Sequence, residues 1–430
     1  MSAPFLTLVA VFVVLAVLRV PIAFAMLLAA LAYLLAAGRD LGLAADQIMN
    51  TLAANSLLLA IPLFMLAANL MNAGSISDRL FAACHVVVGR IKGGLAQIDV
   101  LVSVLFASMS GSAVADAAGP GMVTIRAMDK AGYPRGFAAA IVAASSVLGP
   151  IIPPSIPMIL YALMANASIA ALFLGGVIPG LVIAVAMMLV VWRTAQRRDF
   201  PVEPPIPRGE RAGVLARAAL PLGMPVVLLG GIYSGAFTPT EAAAVAGLYV
   251  LVLAGVVYRE LDGKRLFAAF ADTARQSSVI LLMICGAFAV NYAVTAEQLD
   301  KALAAWIAGL GLRPLPFLVL VNLVFLILGC IIDATTMLLV LVPVLLPSVA
   351  ALGIDPVYFG VVIVINITIG LVTPPYGLLL FVLAALTKIP LREIVRESWG
   401  LIGALVASLA LMVLFPGVVL WLPRFFGYVR

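Results

Sequence analysis

Polar residues able to bind a small cation interrupt the apolar sequence in four places. Two interruptions are the polar runs at 108–112 and 329–336, and the other two, at 145–154 and 366–375, end in proline pairs. Hydroxyl, carboxylate, amide and freed carbonyl oxygens are the ligands that small hard cations prefer. We therefore predict two cation sites, each formed by one run and one proline-containing interruption. The candidate side chains are Ser110, Ser112, Ser145 and Ser146 for one ion and Asp333, Thr335, Thr336, Asn366, Thr368 and Thr373 for the other.

Two carboxylates, Asp116 and Asp333, lie in apolar stretches that we place at membrane depth. A charge at that depth is costly and usually has a function. Asp333 lies at the second polar run, so we predict that it contributes to an ion site. Asp116 follows the first run and has three open roles: an ion ligand, a helix cap or a gating contact. For the serine and threonine hydroxyls, hydrogen bonding between helices is the alternative.

The composition determines what surrounds these residues. Of the 430 residues, 65% are hydrophobic and only 10% are charged, and the mean hydropathy is +1.23. Soluble domains average about 25% charged residues, so a soluble enzyme is excluded and a polytopic membrane protein is predicted. The net charge of +6 is typical of basic cytoplasmic loops rather than of nucleic-acid binding. The three cysteines form no C-x-x-C pair and there is one histidine, which argues against a metal cluster.

The interruptions predict four discontinuous elements. Unpaired backbone groups in hydrocarbon cost several kcal/mol each, so broken helices persist only where they line a cavity or bind a ligand. Small residues at the breaks, Gly111, Gly149 and Gly370, let the backbone approach closely. We predict re-entrant hairpins at about 98–131 and 316–352 and broken helices at about 136–165 and 357–387. Exposed N-termini of the half-helices favour an anionic substrate group. No cationic residue is evident at the predicted tips, so we expect backbone amides and hydroxyls to bind that group.

The two halves of the chain are an internal repeat. A shift of 221 residues places Gly149 on Gly370, the pair Pro153-Pro154 on Pro374-Pro375, and Ser112 on Asp333. These matches fall on helix breakers and polar residues in a largely apolar sequence. We therefore divide the chain into a first repeat at 1–192, a cytoplasmic linker at 193–217 and a second repeat at 218–430.

The placement of Lys and Arg predicts that the repeats are inverted. The basic segments 193–217, 259–275 and 388–396 are assigned to the cytoplasm. This assignment is consistent only if each hairpin enters and leaves the membrane on one side, which leaves five full spans in each half. An odd number of spans gives the halves opposite orientations, the sequence signature of a secondary transporter. The amphipathic segments 77–92 and 297–312 are predicted to be interfacial arms on opposite faces.

Several of these motifs resemble a known family. The run at 108–116, followed by Gly132-Tyr133-Pro134, is similar to the large membrane subunit of tripartite ATP-independent periplasmic (TRAP) transporters, as are the segments 149–155 and 370–375. The resemblance covers essentially the whole chain. It implies an elevator-type, sodium-coupled importer of organic acids in the bacterial inner membrane, with no cofactor besides the coupling ion. It also implies two partners, a small four-helix membrane subunit and a periplasmic substrate-binding protein.

With sodium as the implied ion, each site has a predicted ligand set. The sodium ligands are Ser110, Gly111, Ser145, Gly149, Asp333, Thr336, Asn366, Thr368 and Gly370. The substrate ligands are Ser112, Ser155, Asp333, Thr335 and Thr373. A carboxylate carrier that works without a binding protein is the main alternative, and an ion channel is another. An intramembrane enzyme is disfavoured, since a Gly-x-Gly-Asp motif, a Ser/His pair and a metal-ligand cluster are all missing from the sequence.

Overall fold

The computed structural model describes residues 2–203 and 206–429, which form α-helices joined mostly by short turns. Two short 3-10 turns, Ser56–Leu59 and Ser146–Leu148, and one π-helical turn, Leu253–Val257, adjoin these helices. The first half contains α1 (Ala3–Val17), α2 (Ile22–Ala36), α3 (Gly42–Ala54), α4 (Ala60–Ala73), α5 (Ile76–Val88), α6 (Gly94–Ser110), α7 (Ala113–Ala118), α8 (Pro120–Lys130), α9 (Arg135–Ser145), α10 (Ile156–Ala165) and α11 (Ile169–Arg198).

The second half contains ten further helices. They are α12 (Arg208–Tyr233), α13 (Pro239–Val252), α14 (Gly263–Ala296), α15 (Leu299–Gly309), α16 (Pro314–Gly329), α17 (Ala334–Ala351), α18 (Pro356–Gly370), α19 (Leu378–Thr387), α20 (Leu391–Leu414) and α21 (Pro416–Phe425).

Among the described residues, seven helices are long and apolar enough to cross a membrane. The remaining apolar helices have 10–17 residues and include most of those that flank the predicted interruptions. The prediction of an all-α polytopic membrane protein is therefore confirmed. The seven are Ser56–Ala73, Ile169–Arg198, Arg208–Tyr233, Pro239–Val257, Gly263–Ala296, Ala334–Ala351 and Leu391–Leu414.

The four predicted interruptions are breaks between helices. The first hairpin turns at 111–112 between α6 and α7, and the second turns at 330–333 between α16 and α17. The two broken helices are interrupted between α9 and α10 and between α18 and α19. Each of the latter breaks contains a proline pair joined by a cis peptide bond, Pro153-Pro154 and Pro374-Pro375. Proline lacks the backbone donor that a continuous helix needs, so these breaks follow directly from the sequence.

The broken helices join the two halves by reciprocal packing. Helix α10, which follows the first break, packs against α17 of the second hairpin. Helix α19, which follows the second break, packs against α7 and α9 of the first half. Helices α11 and α20 pack against each other and against the broken helices α18 and α9, respectively. Each hairpin is therefore held by an element of the opposite half.

The boundaries of several elements differ from the sequence prediction. The linker predicted at 193–217 is mostly helical, because α11 continues to Arg198 and α12 begins at Arg208. Helix α14 begins at Gly263, well before the span predicted from 277, and α20 begins at Leu391 rather than near 400. Hydropathy detects the apolar part of a helix, whereas Arg, Glu and Lys are good helix formers that extend it beyond the apolar region.

Candidate ion and substrate site

The tip of the first hairpin lies directly against the first broken helix. Gly111 has a positive φ of 63°, and a methyl carbon added to it would lie 2.5 Å from the carbonyl oxygen of Pro154. A methyl carbon added to Gly149 would lie 3.1 Å from the carbonyl carbon of Ser112. Only glycine permits both approaches. The structure thus brings together the predicted residues Ser110, Gly111, Ser112, Gly149 and Ser155.

Capping interactions fix two serines of this first site. Ser112 Oγ accepts a hydrogen bond from the backbone N–H of Ala115 at 3.4 Å and begins α7. Ser155 Oγ accepts one from the N–H of Met158 at 3.2 Å, begins α10, and donates to the carbonyl of Pro150. These caps place both hydroxyls at the starts of half-helices, which is where the sequence predicted contacts with an anionic substrate.

The tip of the second hairpin has a related geometry. A methyl carbon added to Gly370 would lie 2.6 Å from the carbonyl oxygen of Gly329, so α16 and α18 approach each other through backbone alone. Asp333 begins α17, and its Oδ2 accepts hydrogen bonds from the N–H groups of Thr335 at 2.9 Å and Thr336 at 3.3 Å. The predicted residues Asp333, Thr335 and Gly370 therefore lie at or beside the second tip.

The other predicted residues of the second half have individual partners. The hydroxyls of Thr368 and Thr373 donate to carbonyls of their own chain segment, Ile365 and Ile369, each at 2.8 Å. Their oxygen lone pairs stay available as acceptors. Asn366 Nδ2 donates to Asn322 on α16. Among the described residues, Asn366 Oδ1 and the hydroxyl of Thr336 are buried acceptors without a partner.

A carboxylate that the sequence analysis overlooked lies beneath the first tip. Asp99 on α6 is 1% exposed, and its Oδ2 accepts a hydrogen bond of 2.6 Å from the hydroxyl of Ser145. The hydroxyl of Ser145, predicted as a sodium ligand, thus lies within hydrogen-bond distance of both Asp99 and the carbonyl oxygen of Val142, the latter at 3.1 Å. Asp99 is the one acidic residue in the apolar run between Ile98 and Ala107. A lone acid within a predicted hairpin is a signal for a functional group.

A cavity of 870 Å³ adjoins the first tip on the side of α4 and α14. Its wall includes Ser112 at the tip and two cationic residues on α14, Arg265 and Arg275. Asn69 and Asn72 of α4 also line it, and Asn69 Nδ2 donates to Thr273 Oγ1 of α14 at 2.9 Å. The carboxylate of Asp272 also lines the cavity, so its wall has two cationic groups and one anionic group beside amides and the capping hydroxyl of a half-helix. The excess of positive charge favours an anion.

The sequence as a whole also matches a known family. Residues 9–418 match the family described as "Tripartite ATP-independent periplasmic transporter, DctM component". The chain belongs to this family of TRAP transporter permeases. The resemblance drawn from the tip and break motifs is thereby confirmed, and the protein is a transporter permease rather than an enzyme.

Individual relatives cover nearly all of the chain. It is 40% identical over 410 residues to the sialic acid TRAP transporter large permease protein SiaM of Vibrio cholerae, covering 95% of this chain and 96% of the relative. It is 39% identical over 370 residues to the C4-dicarboxylate TRAP transporter large permease protein DctM of Pseudomonas aeruginosa, covering 86% and 87%. This TRAP permease is thus similar along its length to large permease proteins.

A solved structure is similar in fold. The YdaH transporter of Alcanivorax borkumensis, described as having an unusual topology, superposes with a TM-score of 0.64 over 87% of each chain at 16% identity. At that identity the similarity concerns the fold alone. TRAP systems also include a small permease and a periplasmic binding protein. That this chain works with both stays a prediction.

Proposed function

We propose that this permease imports a small organic acid together with sodium ions, after a periplasmic binding protein has delivered the acid. The substrate moves by an elevator mechanism, in which a transport body carries it past a fixed scaffold. One observation carries the proposal. Two hairpin tips are packed against two broken helices through glycine backbones, and the cavity lined by Arg265, Arg275 and Asp272 begins at one of these tips.

The substrate class follows from the chemistry of the cavity. The N-termini of α7 and α10 direct backbone N–H groups toward the first tip, which favours a carboxylate. Arg265 and Arg275 provide positive charge farther along the cavity. A carboxylate is carried by sialic acid and by C4-dicarboxylates, the substrates in the names of the two relatives. We therefore infer a monovalent or divalent organic acid. Its ligands in this proposal are Ser112, which lines the cavity, and the other predicted residues Ser155, Asp333, Thr335 and Thr373.

The ion sites lie beside the substrate in this proposal. The first is formed by Ser110, Gly111, Ser145 and Gly149, and the second by Asp333, Thr336, Asn366, Thr368 and Gly370. Support comes from the oxygen atoms left free at the second site. One carboxylate oxygen of Asp333, Oδ1, makes none of the capping bonds, and Asn366 Oδ1 and the Thr336 hydroxyl are buried acceptors without a partner among the described residues.

The elevator mechanism requires a body that moves as a unit. The packing of α10 against α17 and of α19 against α7 supports such a body. Because each hairpin is packed against a helix of the other half, the two hairpins are expected to move together. Helices α11 and α20 belong to this body, since they pack against α18 and α9. The scaffold consists of α1, α2, α4, α12, α13 and α14, which pack mainly among themselves. In this proposal the scaffold also holds the small four-helix subunit, with membrane lipid around both.

The central experiment is sodium-driven uptake. The permease, its small subunit and its binding protein are reconstituted in proteoliposomes in the inner-membrane orientation. We expect uptake of the acid bound by the binding protein only with an inward sodium gradient, and not with potassium or choline. Uptake without the binding protein would favour the carrier that works alone. Uptake that is independent of sodium would contradict the coupling.

The inverted arrangement has a separate test. In a background without Cys84, Cys285 and Cys330, single cysteines are placed at Arg313 and Lys130, both exposed at the bases of the two hairpins. We expect a membrane-impermeant thiol reagent to label Arg313→Cys from the periplasm and Lys130→Cys only from the cytoplasm. Labelling of both from one side contradicts the opposite orientation of the two halves.

A further inference from the structure

Two carboxylates lie inside the first hairpin, beneath its tip. Asp99 on α6 and Asp116 on α7 are each 1% exposed. Hydroxyl groups from three more elements surround them. Ser145 and Thr124 adjoin Asp99, and Ser103 and Ser146 adjoin Asp116, so the group of six side chains, here called the acidic cluster, is drawn from α6, α7, α8, α9 and the turn after α9. The two carboxylates also face each other closely enough to interact.

Asp116 is the member of the acidic cluster that points to a ligand. Both of its carboxylate oxygens are buried, and within the described residues no hydrogen bond of normal geometry reaches them, although the hydroxyls of Ser103 and Ser146 lie nearby. Asp99, by contrast, is held by the hydroxyl of Ser145. Buried carboxylates are normally hydrogen-bonded or paired with a charge, because transfer of a bare carboxylate from water costs many kcal/mol. The carboxylate of Asp116 therefore needs either a proton or a bound cation to neutralise it.

Protein side chains do not supply that charge. In 2–203 and 206–429, the buried polar residues include no Lys, Arg or His. The ion pairs found there join other residues, none of them Asp99 or Asp116. The hydroxyls of Thr124 and Ser146 donate to the carbonyls of Pro120 and Val142 in their own segments, so their oxygen lone pairs stay available as ligands. The hydroxyl of Ser103 lies beside Asp116. A set of carboxylate and hydroxyl oxygens with no amine is the environment that hard cations prefer.

We propose that Asp99 and Asp116, with the hydroxyls of Ser103, Thr124 and Ser146, bind one monovalent cation inside the first hairpin. The cation is sodium, an assignment that rests on the proposed function. This site lies beside the proposed tip site of Ser110, Gly111, Ser145 and Gly149. Ser145 adjoins both, because its hydroxyl is bonded to Asp99. Because the cation joins α6 to α7 and α8, it holds the two sides of the hairpin together while the tip binds and releases its own ligands.

Sodium binding by the purified complex tests this proposal. The permease with its small subunit is measured in sodium chloride and in potassium chloride at equal ionic strength. The readouts are the melting temperature and the amount of radioactive sodium bound per complex. The variants are Asp116→Asn and Asp99→Asn, and the matched control is Asp46→Asn on the exposed face of α3.

We expect Asp116→Asn to bind one sodium ion fewer, or to need at least about tenfold more sodium for the same effect. In potassium its melting temperature should equal or exceed that of the wild type, because the variant removes an unpaired buried charge. Asp46→Asn should behave like the wild type. If Asp99→Asn fails to fold because it disturbs the bond to Ser145, Asp116→Asn still carries the test.

Two outcomes overturn the proposal. One is wild-type sodium binding in both variants. The other is an Asp116→Asn protein that is less stable in both salts with unchanged sodium affinity, which indicates a purely structural carboxylate. A different result separates this site from the transport mechanism. In that result, wild-type uptake does not depend on sodium, yet the wild type binds sodium and Asp116→Asn does not. This combination supports a sodium site in the acidic cluster and contradicts sodium-coupled transport.

Discussion

The two halves of this TRAP permease build the same contact with different chemistry. In the first half, Ser145 on α9 donates to the carboxylate of Asp99 on α6 at 2.6 Å. In the second half, Asn366 on α18 donates to the amide oxygen of Asn322 on α16 at 2.8 Å. Ser145 and Asn366 are related by the repeat offset of 221 residues, so both contacts join a broken helix to the first helix of its hairpin.

The tips reverse this distribution of charge. Position 112 of the first tip is a serine, and the corresponding position of the second tip is Asp333. The first half therefore has a neutral tip above two buried carboxylates, whereas the second has a charged tip above two neutral amides. The two halves share the helix breaks and the packing. They differ in where the carboxylates lie, at the tip in the second half and beneath the tip in the first. In the proposed sodium-coupled mechanism, a coupling ion attracted by that charge would bind at a different depth in each half.

The largest effect is expected when a carboxylate is moved into the second half. Asn322→Asp places a buried charge next to Asn366, without the hydroxyls of Ser103 and Thr124 that surround the carboxylates of the first half. We expect it to destabilise the permease by about 3 kcal/mol, because a buried charge without a partner is costly. Thermal unfolding of the purified complex measures the effect, and Asn50→Asp at an exposed position is the control. Unchanged stability would show that the second half tolerates charge as the first does.

A smaller effect is expected at the charged tip. Asp333→Asn keeps a side-chain oxygen that can cap α17 but removes the negative charge. We expect the half-saturating sodium concentration of uptake to rise about tenfold, as metal sites typically lose 10–100-fold in affinity when a supporting group is changed. Asp355→Asn is the matched control, since Asp355 caps α18 through the N–H groups of Val357 and Tyr358. Unchanged sodium dependence in Asp333→Asn removes this carboxylate from the ion site.

The sequence predicted the breaks better than the contacts across them. Gly and Pro residues act on their own backbone, so Gly149, Pro153 and Pro154 were sufficient to predict the first broken helix. Asp333 was predicted as an ion ligand, and its cap of α17 is also a local contact, with hydrogen bonds that reach only two and three residues ahead. The bond between Ser145 and Asp99 joins residues 46 positions apart. Its existence depends on how α6 packs against α9, which no local pattern specifies.

Helix length was the other part that hydropathy did not reveal. The prediction ended or began membrane spans next to charged residues, Arg193 in one case and Arg275 in the other. In the structure, α11 continues past Arg193 and ends at Arg198. Helix α14 already begins at Gly263, before Arg275. Cationic α14 residues such as Arg265 and Arg275 therefore line the cavity beside the first tip. This is why the sequence analysis found no cation near the tips.

The two arms extend the comparison between the halves. Arg79 on α5 makes a 2.8 Å ion pair with Glu260 and lies over the ring of Tyr258, 3.6 Å from its centroid. Ser75 adds hydrogen bonds to the same carboxylate through its N–H and its hydroxyl. A shift of 222 residues places Arg79 on Lys301 of α15, which makes no ion pair within the described residues. The first arm is thus fastened to the turn before α14.

The smallest effect is expected when this fastening is removed. Burial raises the pKa of Glu260, but hydrogen bonds from Ser75 and the charge of Arg79 outweigh it, so its pKa is lowered from the ordinary value. A lowered pKa in the folded state adds stability above the pKa of the unfolded state, and this stability is lost as the pH falls through the folded value. We expect Glu260→Gln to cost at most about 1 kcal/mol at neutral pH, since the pair is partly exposed. The difference in melting temperature from the wild type should then shrink on acidification. Asp300→Asn on the second arm is the control, and a difference that persists at acidic pH contradicts the role of the Glu260 charge.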